Sequence, residues 1–296
     1  MKQTFYAFSR AFLLIYAFST TGVRAESTPA QPVPTAQLSP ASNPAEPQRS
    51  VSLSAPEVRA VEFVIHHKGE ALWKETFDSL NSRQIQILDD WNRAQGNIDL
   101  GRYDEALALL REAGGVLPDD SDIRDQISRL TAIAPFTPRL QLLGKGGEIM
   151  RQGINLYLAG DTSTGLHRIA YSVTLGPVPA HRELFKNLSA SSGQTIDLDL
   201  DSPMDGVEQK LSAALLSFRA GDYVKSTSLC EEALLMDPNN ALAYKRLGSS
   251  FYALGNYDKA REAWTRSLEL NPGDPKKKET LGYIKRAKEK GVHSHE

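Results

Sequence analysis

The chain has 296 residues, with 34 Lys and Arg against 36 Asp and Glu and a formal net charge of −2. That balance excludes a whole-chain electrostatic bias toward nucleic acid or anionic membrane. A single cysteine, Cys230, excludes an internal disulfide.

Residues 1–25 read as a secretory signal. Lys2 and Arg10 give a positive n-region, residues 11–18 (AFLLIYAF) a short apolar core, and Val23-Arg24-Ala25 a small-residue cleavage site. This apolar run falls well short of the about twenty residues that span a bilayer, so no stable membrane anchor is expected. No cysteine adjoins the cleavage point, which excludes a lipoprotein. The expected destination is the periplasm or the extracellular space. Residues 26–50 hold six of the sixteen prolines, with Ala, Ser, Thr and Gln between them. Such a composition buries too little apolar surface to fold, and a disordered, extended tether is expected.

From residue 51 the pattern turns helical, and residues 51–188 are expected to form an N-terminal helical domain. Ala60, Val61, Val64, Ile65, Leu72 and Phe77 are spaced for one face, with Gly69 dividing two helices. His66 and His67 point about 100° apart on a helix and so do not jointly face one metal ion. Residues 87–120 carry Trp91, Ala94, Gly101, Tyr103, Ala106, Leu110, Ala113 and Pro118. Residues 121–133 predict a further helix, capped by Ser121 or Asp122. After Pro135 and Pro138, residues 146–179 carry Gly153, Leu156, Gly160, Ile169 and Pro177, with Thr162 and Gly165 where the earlier segment has Tyr103 and Ala106. Gly144-Lys145-Gly146-Gly147 lacks the preceding strand and the spacing of a phosphate loop, and reads as a flexible lead into a helix. A short helix is expected over 180–188. Residues 189–203 (SASSGQTIDLDLDSP) break the helical pattern and are expected to link two domains. The second domain covers 204–290, with a tail at 291–296.

Within 241–274 the sequence places Tyr244, Leu247, Gly248, Phe251, Gly255, Tyr257, Ala260, Trp264 and Pro272. One step of 34 residues back, Gly255 falls on Gly221, Tyr257 on Tyr223 and Pro272 on Pro238, which defines a second copy at 207–240. One step forward, Leu247 and Gly248 fall on Leu281 and Gly282. Gly221 and Gly255 sit where a tight helix–helix turn favours φ > 0. Residues 276–290 then predict a capping helix, whose Lys276, Lys277, Lys278, Lys285, Arg286, Lys288 and Lys290 supply a polar outer face. Cys230 occupies the position of Trp264 one repeat earlier and is read as a buried small hydrophobe.

These residues resemble the tetratricopeptide repeat family, in which the fourth position is a large aromatic, the seventh and eighth are Leu-Gly and the twentieth is Ala. Tyr244, Leu247, Gly248 and Ala260 meet all four, whereas the upstream copy departs at Lys210, Ala213, Ala214 and Ser226. The resemblance implies an all-α fold, an α-solenoid of helix-turn-helix repeats following the disordered N-terminal tether. Segments 87–120 and 146–179 are its degenerate relatives. It also implies a concave face, built from the first helix of each pair, that binds a protein or peptide partner. That face is expected to carry Leu211, Leu215, Phe218, Arg219, Lys245, Ser249 and Tyr252, with Tyr283 and Arg286 added by the capping helix. Members that clamp a terminal carboxylate pair lysine with asparagine; here Ser249 follows Lys245 by one turn.

One stretch supports a different chemistry. From Asp197 to Glu208, carboxylates fall at positions one, three, five, nine and twelve, similar to an EF-hand loop. By that resemblance Asp197, Asp199, Asp201, Asp205 and Glu208 would bind Ca²⁺, although Ser202 stands where the turn glycine belongs. The same residues also fit an extended edge, Ile196, Leu198 and Leu200 alternating with aspartates, that leads into a helix start at Ser202-Pro203. No G-x-S-x-G, H-E-x-x-H or G-x-x-x-x-G-K occurs. The expectation is therefore a non-enzymatic, exported interaction scaffold in cell-envelope complex assembly that needs no cofactor and binds no nucleic acid. A calcium-binding exported protein and a non-catalytic subunit of an enzyme complex stand as alternatives.

Overall fold

The computed structural model describes residues 53–293, so the signal and tether expected over 1–25 and 26–50, and the end of the tail, lie outside the described residues. Among the described residues there are α-helices, one 3₁₀ helix and no strand. The order is α1 (Ala55–His66), α2 (Trp73–Asp78), α3 (Ser82–Leu100), α4 (Tyr103–Val116) and α5 (Ser121–Ile133), then the 3₁₀ helix (Ala134–Arg139) that absorbs Pro135 and Pro138. There follow α6 (Gly144–Leu158), α7 (Thr162–Thr174) and α8 (Pro179–Ser192). The C-terminal part contains α9 (Gly206–Arg219), α10 (Tyr223–Met236), α11 (Ala241–Ala253), α12 (Tyr257–Leu270) and α13 (Lys277–His293). Adjacent helices pack as pairs, giving an all-α, solenoid-like stack with hairpins α3/α4, α6/α7, α9/α10 and α11/α12.

Local chemistry sets the ends of these helices. The four hairpins turn on Gly101, Gly160, Gly221 and Gly255, each left-handed with φ of 76°, 94°, 82° and 78°. A residue with a Cβ is strained in that region, which is why the same position recurs as glycine. Asp205 and Asn240 cap the first helices α9 and α11 by accepting from the amides of Glu208 and Ala243. Asp161 and Asp222 do the same for the second helices α7 and α10. The cap of α5 is Asp120, which accepts from Ile123 N, and not Ser121 or Asp122 as the sequence suggested. Gly144–Gly147 is not a flexible lead. It is the first turn of α6, and Gly147 lies so close to the backbone of Gln141 and Leu142 that a Cβ has no room.

Inside each hairpin a small residue on the first helix corresponds to a residue of varied size sixteen positions on. The pairs are Ala94 and Leu110, Gly153 and Ile169, Ala214 and Cys230, and Gly248 and Trp264. All eight are buried. In α6/α7 it is two backbones that meet. A Cβ on Gly165 would meet Tyr157 N at 2.7 Å and Gly153 O at 2.9 Å, so glycine replaces the usual alanine because two backbones touch there. The other departures from the repeat pattern also have partners. Buried Lys210 reaches Glu232 at 2.6 Å, and Ser226 shares a 2.8 Å hydrogen bond with Ser250 across the boundary between α10 and α11.

Two main apolar clusters result. One draws on helices α3 to α8, and the other on α9 to α12 together with Tyr171 of α7. Residues 189–203 were expected to be a break between domains. They are helical as far as Ser192, and the strap that follows packs Ile196 and Leu198 against both clusters and Leu200 against the first. Gln209 donates to Asp199 O, Arg182 to Leu200 O, and Gly206 N to Thr174 Oγ1, fastening the strap along its length. The described residues accordingly fall in one compact unit.

Candidate protein-interaction face

The expected groove residues separate into two groups. On α9, Leu211 is buried, Leu215 and Phe218 are half-buried and Arg219 is exposed. Phe218 meets Tyr223 edge-on at 5.1 Å, so its ring is braced by the start of the second helix. On α11, Ser249 is half-buried and its hydroxyl donates to Lys245 O, an oxygen that also accepts from Trp264 Nε1. These positions form the open part of the first-helix surface.

The second group is committed to internal contacts. Lys245 Nζ lies 2.6 Å from Asp274 Oδ2, tying α11 to the turn before α13. The Lys245 ammonium and the amide of Lys276 together hold the Asp274 carboxyl below its ordinary range. Tyr252 packs at 5.3 Å from Tyr257 and 5.7 Å from Trp264, and Tyr283 lies 5.5 Å from Trp264. Lys290 Nζ sits over both Tyr252 and Tyr257, at 5.3 and 5.6 Å from the ring centroids, and Arg286 over Tyr283 at 4.8 Å. Tyr252 and Tyr283 thus both pack on Trp264 and Lys290 reaches across to the hairpin, which seats α13 on it, while exposed Arg286 lies over Tyr283 within its own helix.

Arg246 escaped the sequence reading. It adjoins Lys245, about 100° round the helix from the row that Lys245, Ser249 and Tyr252 define, so periodicity gave no sign of it. It is half-buried, and its guanidinium donates across to Leu211 O of α9. Burial holds it below the ordinary guanidinium range, and the nearby charge of Arg219 pushes the same way.

The acidic stretch follows the alternating pattern as far as Asp201, but the helix does not start at Ser202-Pro203: α9 begins at Gly206 with Asp205 as its cap. Asp197, Asp199 and Asp201 are exposed, while Ile196, Leu198 and Leu200 turn inward. Asp201 pairs with Arg182 at 2.8 Å, Asp199 Oδ1 accepts from the amide of Asp201, and Asp205 caps α9. Glu208 is exposed in the first turn of that helix. No group of three or more His, Cys, Asp or Glu among the described residues is arranged to hold a metal ion. His67 stacks on Phe63 at 4.7 Å, whereas His66 turns to Asp120 at 2.7 Å, so the adjacent histidines part as helical geometry requires.

Cys230 is fully buried, and burial pushes its thiol up to about 11, so it is a packing residue and not a nucleophile. A buried Ser–His contact joins Ser172 Oγ to His181 Nδ1 at 3.1 Å, and the same hydroxyl donates to Gly146 O at 2.8 Å. No described helix is long and apolar enough to cross a membrane.

A solenoid-like stack of paired helices with an open first-helix face is the architecture of a repeat protein that binds other proteins. The tetratricopeptide repeat family profile matches residues 241–274, that is, α11, α12 and the turn after them. It is 41% identical over 54 residues to tetratricopeptide repeat protein 12 of Mus musculus, an overlap of 18% of this chain and 8% of that protein. It is 33% identical over 92 residues to Protein CTR9 homolog of Arabidopsis thaliana, covering 31% of this chain and 8% of that one. The chain therefore spans less than a tenth of the length of either relative, and the likeness concerns the repeat.

Proposed function

We propose that the protein is an exported, non-enzymatic scaffold of cell-envelope complexes whose C-terminal hairpins hold an extended segment of a partner protein. The observation that carries the binding reading is the contrast along α9 and α11. Leu247, Gly248, Ala214 and Leu211 are closed into the core, while Leu215, Phe218 and Ser249 beside them stay partly open and Leu242 is 47% exposed. Half-open apolar positions flanked by cations suit a peptide that lays down side chains at intervals. Export rests on the signal pattern of residues 1–25, and the proline-rich composition of 26–50 would let the helical body reach partners at a distance.

A photo-crosslinking amino acid placed at Leu215 in the native host tests the groove, with Glu231 on the second helix α10 as the exposed control. A specific partner adduct from position 215 and none from 231 is expected. Adducts from 231 alone would refute the groove. Fractionation with N-terminal sequencing tests export: the mature chain should begin at Glu26, and a cytosolic chain retaining residues 1–25 would refute it.

A further inference from the structure

We propose that α13 rests the protein on a membrane surface rich in anionic phospholipid, with Lys277, Lys278, Lys285 and Lys288 meeting lipid phosphates around Leu281. None of these residues belongs to the groove of α9 and α11. Charge is unevenly distributed along the chain. Residues 51–275 hold 23 Lys and Arg against 31 Asp and Glu, a net −8, whereas residues 276–290 hold seven against two, a net +5. Pairing sharpens the contrast. Elsewhere many surface cations sit beside carboxylates, as in Lys74–Asp78, Arg139–Glu183, Arg182–Asp201 and Arg266–Glu269, at 2.7 to 3.0 Å. On α13, Lys277, Lys278 and Lys288 are exposed and meet no carboxylate among the described residues. Lys285 reaches Glu289 only at 4.0 Å, in an exposed pair that contributes little. Glu279, the other acid of the helix, accepts from the Tyr283 hydroxyl.

Helical spacing gathers these lysines on one face. Lys277 and Lys278 stand four and three residues before Leu281, Lys285 and Lys288 four and seven after it, all within about 60° of it around the helix. Leu281 is 47% exposed, whereas Ala287 is buried with Ala260 and Trp264 on the side toward the last hairpin. An apolar side chain ringed by long, flexible cations on a convex helix fits the boundary between headgroups and acyl chains. A single convex helix offers no groove to track a nucleic-acid backbone, and its one tyrosine, Tyr283, is committed to Trp264. The acidic remainder of the protein is repelled by the same anionic surface, which confines the contact to α13 and keeps it peripheral.

Vesicle flotation with the full chain tests this. Vesicles of phosphatidylglycerol and phosphatidylcholine in equal parts are expected to carry the protein, phosphatidylcholine alone far less, and added salt should release it. Residues 1–25 are present in every sample, so the comparison among variants isolates α13. Lys277→Gln, Lys285→Gln and Lys288→Gln together should lower partition about a hundredfold, at about fivefold for each charge removed. Arginine at the same three positions should preserve it, and Leu281→Gln should lower it by a smaller factor. Unchanged partition of the triple glutamine variant would overturn the proposal. Equal losses in the glutamine and arginine variants would trace the effect to the fold instead of the charge, and would overturn it too. Displacement by glycerol phosphate at the same phosphate concentration would assign the lysines to a free phosphate. Tighter binding to a DNA duplex, lost on the same glutamine exchanges, would assign them to nucleic acid. Either result refutes the membrane surface.

Discussion

The indole of Trp264 lies flat against Gly248: a Cβ added to that glycine would meet Cδ1 and Nε1 at 2.6 Å. The same Nε1 donates to Lys245 O at 3.1 Å, so a ring, a glycine and a backbone carbonyl are fitted together. One repeat earlier the corresponding residues are Ala214 and Cys230, a larger residue on one helix answered by a smaller one on the other.

Trp264→Ala should therefore destabilise the full chain by about 3–5 kcal/mol in urea titration. Gly248→Ala should cost about 1–3 kcal/mol by overpacking. Combining Gly248→Ala with Trp264→Cys, the pairing found upstream, should cost less than the two changes summed. Strict additivity would show that the two sites do not share the space.

Gly165→Ala tests the backbone contact between α6 and α7. Its Cβ would press on main-chain atoms that cannot rotate away, and a loss of about 2 kcal/mol or more is expected. Gly115 in α4 is the control. A Cβ there meets nothing within 4 Å, and Gly115→Ala should stabilise by about 0.5–1 kcal/mol through helix propensity. A stable Gly165→Ala protein would contradict the close crossing.

Stability should depend on pH through His66 and Asp120. The Asp120 hydrogen bond raises the His66 imidazole above its ordinary 6.5 against the opposing effect of burial, with Asp122 and Glu62 adding to the rise. Burial alone would raise the Asp120 carboxyl, but His66 and the amide of Ile123 hold it below 3.8. The histidine contribution is thus fully present below pH 6.5 and lost as pH rises through the folded value. The aspartate contribution is present above 3.8 and lost as pH falls through its own folded value. His66→Gln should lower the melting temperature most in the weakly acidic range, with the gap to wild type closing toward alkaline pH. A gap that is constant across that range would remove the ion pair from the account.

Lys245→Glu should lower the melting temperature by opposing Asp274, and adding Asp274→Lys should recover part of the loss. Failure of the double exchange to recover anything would mean that the pair does not hold the turn before α13. Loss of partner capture in a Lys245 variant would then need the melting curve beside it before being read as a lost contact.

Much of the hairpin order was legible in the sequence because its determinants are local. Gly221, Gly255 and the Gly-Asn-Tyr or Gly-Asp-Tyr turns fix their own neighbourhoods, and the register of 34 residues does the rest. What was not legible depends on partners distant in sequence. Lys245 reads as a free groove cation until Asp274, 29 residues on, is seen beside it. Arg246 draws its significance from Leu211, 35 residues back. The aspartates of residues 197–201 fit a metal loop by spacing, yet an inward row of Ile196, Leu198 and Leu200 decides which way they face.

That inward row has a consequence for how the protein yields to force or to proteases. A Cβ on Gly206 would meet Leu198 Cδ1 at 3.1 Å, Met236 Sδ at 3.3 Å and Thr174 Oγ1 at 3.4 Å, so the start of α9 is wedged among the strap, α10 and α7. A cut within residues 194–204 is expected to leave the two halves clinging together under native conditions. Expressed alone, the C-terminal hairpins would present Met236 and Val207 to water where the strap and Tyr171 cover them now. The stretch that a reader of the sequence would choose as a hinge is the keel along which both rows of helices are laid.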